Sequence, residues 1–187
     1  DNNAPSEGSS TSVSAEVAAT IPETSTISVG GKYMTSTVKG AYMSKTIPGT
    51  VVATDKATLA AGYGLAPGEQ PYVRVYDISE AKSPAAMTSI NAAAGAVGGT
   101  VVATVNVELG KLAGGKFSLL EQGGAPITMA FGIPKNAVKP GYAYAMICVR
   151  PGGVIEVLPD LDADPNTVTF STTGGLGAYA MIMYPVA

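Results

Sequence analysis

The chain of 187 residues contains no histidine and no tryptophan, and its only cysteine is Cys148. Histidine is the commonest general base and a favoured transition-metal ligand, so its absence disfavours most hydrolytic mechanisms. A single cysteine cannot form an intrachain disulfide, and its place in the apolar run AMICV predicts a small buried side chain rather than a reactive thiol. We therefore expect that the chain is not an enzyme.

Charge and long apolar runs are also scarce. Only 13% of the residues are charged, the net charge is −3, and no stretch gathers lysine and arginine. A protein that neutralises phosphates needs such a cluster, so we expect no nucleic-acid partner. No apolar run approaches the roughly 20 residues of a membrane span, so no membrane-spanning segment is predicted. The polar start, DNNAPSEGSSTS, is typical of a chain whose signal peptide has been removed, which predicts an extracellular or cell-surface protein.

Short apolar segments separated by turn residues dominate the rest of the chain, which has 23 glycines and 13 prolines. Their spacing of about 8 to 12 residues is typical of an antiparallel sandwich. We therefore predict a mainly β fold, an antiparallel β-sandwich of immunoglobulin-like or jelly-roll-like type. The predicted strands are 24–29, 41–47, 50–54, 71–77, 100–109, 116–121, 126–133, 142–150, 154–159, 167–172 and 177–186, and the last four are expected to form a meander.

One α-helix interrupts these strands near residues 84–97. Ser83 stands at the N-cap position, Pro84 at the first helical position, and two glycines follow the helix at 98 and 99. An apolar stripe along the helix predicts packing on a sheet; its members are Met87, Ile90, Ala94 and Val97.

Residues 1–22 read as an arm that precedes a single domain, residues 23–187. Within the arm, residues 12–21 alternate in the manner of a strand with one apolar face. That face consists of Val13, Ala15, Val17, Ala19 and Ile21. An alternating strand behind a polar leader suits addition to the edge of another subunit's sheet, as in donor-strand complementation. Such a contact is head to tail and propagates into a homopolymer, so we predict a pilus-like filament.

The C-terminal third, from PITMAFGI to GAYAMIMY, has a strand ending in Val149 and Arg150, a turn, the strand VIEVLP, an acidic turn, the strand TVTF and a last strand with Gly-Ala-Tyr-Ala. It resembles the C-terminal β-sandwich module of secreted or cell-wall-attached surface proteins of Gram-positive gut and anaerobic bacteria. The segment SAEVAATIPETSTISV resembles the entry strand of such proteins. The resemblance implies a stalk, adhesion or assembly role and carries over no catalytic residues.

These observations predict an extracellular structural subunit that self-assembles into a fibre or appendage by donating its N-terminal strand. The alternative is a monomeric surface adhesion or carbohydrate-binding module, in which that strand completes its own sheet. Sugars stack on aromatic rings, but the nine tyrosines are scattered through the predicted strands. Paired catalytic carboxylates are a further alternative, although the acidic residues show no pairing pattern.

The loop DLDADPNT places Asp160, Asp162 and Asp164 at alternate positions, and Ca²⁺ prefers several oxygen ligands of this kind. This spacing makes the three aspartates a candidate calcium site. Against it, Pro165 stands where an EF-hand loop needs glycine, and Asp, Pro and Asn are good turn formers. A turn between two strands is therefore the favoured interpretation, and no other cofactor is predicted.

Overall fold

The computed structural model describes residues 24–29 and 32–186. The predicted donor strand, including Val13, Ala15, Val17, Ala19 and Ile21, lies outside this part of the chain. The described strands are β1 (Thr26–Val29), β2 (Lys32–Thr35), β3 (Lys39–Tyr42), β4 (Thr50–Val52), β5 (Gln70–Asp77), β6 (Thr100–Ala113), β7 (Lys116–Leu119), β8 (Ile127–Gly132), β9 (Tyr142–Val149), β10 (Ile155–Pro159), β11 (Thr167–Thr172) and β12 (Gly175–Pro185). The helices are α1 (Lys56–Tyr63) and α2 (Pro84–Ala96).

Two main sheets pack into the predicted mainly β sandwich, and β1 pairs with β2 in a separate two-stranded sheet. The larger sheet has the order β10-β9-β12-β6-β5-β3, with β7 also paired to β6, and the smaller sheet has the order β11-β8-β4. All described strand pairs are antiparallel except β3 with β5, which are parallel. The rings of Phe131 and Phe170 from the smaller sheet meet at 5.0 Å, and Phe170 lies 5.8 Å from Tyr179 of the larger sheet. Aromatic contacts of this kind join the two layers of one apolar core.

The second face of the larger sheet is covered in part by α2, at the position predicted for the inserted helix. Ala86, Ile90 and Ala94 are buried there in a cluster that includes Ala180 and Ile182 of β12. The small side chains let the helix approach the sheet closely. The prediction for Val97 is wrong: α2 ends at Ala96, and Val97 beyond it is 44% exposed.

Three local features differ from the sequence prediction. Helix α1 was not predicted, although Asp55 caps it by accepting a bond from the Thr58 N–H and Gly64 ends it at φ 63°. The predicted strand 41–47 ends at Tyr42, because the Asp77 carboxylate accepts hydrogen bonds from Ser44, Lys45 and Thr46 and holds them in a loop. The last four strands do not form one meander, since β11 belongs to the smaller sheet.

Gly110 in β6 and Gly95 in α2 differ in the space around them, which predicts opposite effects of replacing each by alanine. A Cβ atom on Gly110 would lie 2.3 Å from the Ser118 carbonyl oxygen and 2.5 Å from the Phe117 ring, whereas a Cβ on Gly95 in α2 meets nothing within 4 Å. We expect Gly110→Ala to lower the free energy of unfolding by about 1–3 kcal/mol. Gly95→Ala should raise it by about 0.5–1 kcal/mol, because alanine favours a helix interior. Urea denaturation measures both, and a neutral Gly110→Ala would contradict the packing described here.

Candidate functional site: an open sheet edge beside a tyrosine groove

The smaller sheet closes both of its edges with neighbouring parts of the chain. Along β4, the Thr37 N–H donates to the Val52 carbonyl (3.0 Å) and the Val52 N–H donates to Ser36 Oγ (3.1 Å). Along β11, the Leu161 N–H donates to the Thr169 carbonyl at 2.7 Å. The outward backbone groups of Val52 and Thr169, in the middle of these edges, are therefore occupied, which leaves a poor template for another strand.

Strand β10 forms one end of the larger sheet, and no described strand pairs with its outer edge. The Arg150 N–H donates to the Val154 carbonyl at 2.8 Å, which fixes the alternation of bonded and non-bonded pairs between β9 and β10. By that alternation Ile155 and Val157 direct their N–H and C=O groups away from β9. No described residue bonds to these groups. The open stretch ends at Pro159, which has no N–H to offer.

The side chains along the β10 edge are apolar as well as accessible. Ile155 is 43% exposed and Val157 50%, and the flanking Val154 and Leu161 are 55% and 58% exposed. Glu156 is the only charged residue on the strand. At the opposite end of the sheet, β3 is four residues long and starts with a lysine. Short edges and lysines discourage strand addition, so β10 is the less protected end.

Arg150, at the turn between β9 and β10, is completely buried. Its Nη1 donates to the carbonyls of Gly174 (2.9 Å) and Leu176 (3.3 Å), and its Nη2 donates to Thr172 Oγ1 (3.0 Å) and to the Thr173 carbonyl (3.1 Å). A buried guanidinium needs such bonds; among the described residues only its Nε has no hydrogen-bond partner, and the Glu156 carboxylate lies 3.8 Å from that atom. Arg150 therefore ties the β9–β10 turn to the connection between β11 and β12.

Cys148 is buried close to the Arg150 guanidinium, and its burial keeps the thiol protonated. Burial raises the pKa of the Cys148 thiol to about 11, although the nearby Arg150 charge opposes the rise. A thiol with that pKa is almost entirely protonated at neutral pH, and the thiolate is the reactive form. The prediction of a buried cysteine is thus confirmed.

A groove of about 630 Å³ lies directly beyond the end of β10. It is bounded by the start of β9, the end of β12 and the loop between β10 and β11. Its lining residues are Val138, Lys139, Pro140, Tyr142, Ala143, Tyr144, Pro159, Asp160, Asp162, Ala163, Asp164, Pro165 and Tyr184. Tyr142 is 40% exposed, whereas Tyr144 is buried and its hydroxyl donates to the Ala137 carbonyl at 2.6 Å. The accessible ring of Tyr142 therefore lies in the groove near the Tyr144 side chain, which is held in place by its hydrogen bond.

All three aspartates of the candidate calcium loop line this groove, and each accepts a bond from the backbone N–H two residues later. Asp160 Oδ1 accepts from Asp162 (3.1 Å), Asp162 Oδ1 from Asp164 (2.8 Å), and Asp164 Oδ1 from Asn166 (2.8 Å). These are the bonds of Asx turns. Within residues 24–29 and 32–186, no three His, Cys, Asp or Glu side chains are placed to hold a metal ion. The calcium site remains a prediction.

The surroundings of Asp160 disfavour its charged form. Burial raises its pKa, and the charges of Asp162 and Asp164 contribute to the rise, while N–H bonds from Thr169 and Asp162 oppose it. Its second oxygen, Oδ2, has no hydrogen-bond partner among the described residues. This oxygen can therefore accept a hydrogen bond from a ligand hydroxyl or another donor.

Two further acidic residues, Glu108 and Glu69, have separate structural partners. Glu108 is fully buried, lies 3.3 Å from Arg74 Nη1 and accepts from the Tyr76 hydroxyl at 3.1 Å. Glu69 pairs with Lys111 at 3.0 Å. In the described part of the chain these carboxylates are each committed to a cation, and the geometry brings no pair of them together across the groove.

Sequence reasoning missed the residues that make these two features. Tyr142 and Tyr184 were treated as scattered, although β9 and β12 are adjacent and pair Tyr184 with Ala143. Arg150 was noted only as the end of a strand. Spacing alone could not find them, because the strand order of the sheet brings them together.

Comparison of the chain with family models, curated proteins and solved structures gives no match, so the resemblance to Gram-positive surface modules stays a prediction. Neither described helix is long and apolar enough to cross a bilayer.

The hydrogen bonds of the buried Arg150 guanidinium predict that lysine cannot replace arginine at this position. Lysine lacks the planar set of donors, so Arg150→Lys should lower the free energy of unfolding by about 2–4 kcal/mol. Glu156 is 3.8 Å from Arg150 Nε and has a 42% exposed side chain, so Glu156→Gln should cost no more than about 1 kcal/mol. Urea denaturation compares the two, and equal effects would argue against the hydrogen-bonded fork.

The raised thiol pKa predicts that native Cys148 resists alkylation. We expect iodoacetamide at pH 8 to label the folded chain slowly and the urea-unfolded chain completely, as measured by mass spectrometry. Rapid labelling of the folded chain would show that the thiol is accessible.

Proposed function

We propose that the chain is an extracellular structural subunit that self-assembles by donating residues 12–21 to the β10 edge of a neighbouring copy. The observation that carries this proposal is the open backbone of Ile155 and Val157 beside their exposed apolar side chains. An unprotected apolar edge is the surface to which an extended segment adds as a further strand.

The donor pattern is compatible with this edge. Backbone pairing would fill the open groups of Ile155 and Val157, while Ala15, Val17 and Ala19, which span five residues of the donor strand, continue the apolar surface beside them. Because β10 is short and Pro159 ends its donor groups, the pairing covers about five residues. Donor and acceptor occupy different parts of the subunit, so each added copy presents a new edge and the polymer stays open.

Two variants, each with one half of the contact removed, test the proposal. A chain lacking residues 1–22 keeps the acceptor edge, and Val157→Lys keeps the donor strand but places a charge on the edge. We expect the full chain to form filaments in electron microscopy and both variants to remain folded monomers in sedimentation velocity. Val97→Lys is the matched control, because Val97 has a similar exposure of 44% at the end of α2, and it should still assemble.

Mixing the two defective variants gives the sharper result. The truncated chain supplies the edge and Val157→Lys supplies the strand, so we expect a one-to-one dimer that cannot grow. Filaments formed by Val157→Lys alone would show that β10 is not the acceptor. A full chain that stays monomeric at every concentration would overturn assembly and favour an arm that completes its own sheet.

A further inference from the structure

The groove beyond β10 presents solvent-facing polar atoms that make no hydrogen bond to another described residue. Among the described residues, no hydrogen bond is made by Lys139 Nζ, by the hydroxyls of Tyr142 and Tyr184, or by Oδ2 of Asp160 and Asp164. The remaining lining is mostly proline, alanine and valine. A concave apolar surface with a few unpaired polar groups is the usual composition of a small-ligand site.

We infer that this groove binds a neutral saccharide. The ring of Tyr142, 40% exposed at the rim, offers a flat face on which the C–H side of a pyranose stacks. The unpaired carboxylate oxygens accept hydrogen bonds from sugar hydroxyls, and Lys139 Nζ and the tyrosine hydroxyls donate to sugar oxygens. A polyhydroxylated ligand satisfies both sets of groups at once.

The charge of the lining separates this ligand from charged alternatives. Asp160, Asp162 and Asp164 face one lysine, so an acidic sugar, phosphate or sulfate would meet net negative charge. A basic peptide would use the carboxylates but would leave the donors of Lys139 unpaired and meet its positive charge. A neutral saccharide avoids both the repulsion of an anion by the aspartates and the repulsion of a cation by Lys139.

This site shares only Pro159, the last residue of β10, with the edge proposed for assembly. Tyr142 and Tyr184 belong to β9 and β12, and Asp160 lies in the loop after β10, so none of them contributes to the open edge at Ile155 and Val157. Binding should therefore be unchanged by Val157→Lys, which separates failure of this inference from failure of the assembly proposal.

The test is isothermal titration of the full chain with neutral hexasaccharides of glucose, xylose and mannose, repeated in Val157→Lys. We expect binding of at least one of them. Tyr142→Ala should weaken that binding about tenfold through loss of stacking, whereas Tyr142→Phe, which keeps the ring, should stay within about threefold. Asp160→Asn, which changes an acceptor but not its size, should also weaken binding. Tyr33→Ala is the matched control, since Tyr33 on β2 is 75% exposed and outside the groove.

Three results would overturn the inference. These are no binding of any neutral hexasaccharide at millimolar concentration, equal binding by Tyr142→Ala and the native chain, and exclusive binding of oligolysine or heparin. Repeating the titration with EDTA and with added Ca²⁺ shows whether the carboxylates act directly. Binding that survives EDTA supports direct contact with the sugar, and binding that requires Ca²⁺ contradicts it.

Discussion

The buried guanidinium of Arg150 is the interaction on which the C-terminal half of the structure depends. The chain leaves the larger sheet after β10, forms β11 in the smaller sheet and returns as β12. The return places the carbonyls of Thr173, Gly174 and Leu176 in the interior, where unpaired carbonyls are costly. Arg150 satisfies them from the β9–β10 turn. One side chain thereby fixes both the crossing between sheets and the position of β10.

The same crossing creates the two candidate functional features. Because the chain turns away after Pro159 and pairs Leu161 with Thr169 of the smaller sheet, β10 has no outer neighbour among the described strands. The departing loop also separates from the ends of β9 and β12, and the groove lined by Tyr142 and Asp160 lies in the resulting gap. The exposed edge of β10 and the groove beside it are thus neighbouring consequences of one connection.

Local sequence signals predicted much of the fold. Alternation and flanking turn residues located the strands from Gln70 to Asp77 and from Tyr142 to Pro185, and Ser83 with Pro84 marked the start of α2. Errors arose where contacts between distant residues determine the local structure. The strand expected at 41–47 stops because Asp77, more than 30 residues away, holds Ser44 and Lys45 in a loop. Helix α1 was missed because its eight residues are too short for a clear periodicity, although Asp55 and Gly64 cap it.

By itself the sequence determined that this protein is mainly β, has one substantial helix near residues 84–97, contains a buried lone cysteine and turns sharply at the aspartate loop. These properties depend on residues close together in the chain, where periodicity, capping and turn preference act. Only the tertiary structure decided that β11 leaves its neighbours for the smaller sheet, that Arg150 is buried, that β10 is an open edge and that Tyr142 shares a groove with Asp160. These depend on strand order and on which backbone groups remain unpaired, and both are set by contacts between distant segments of the chain.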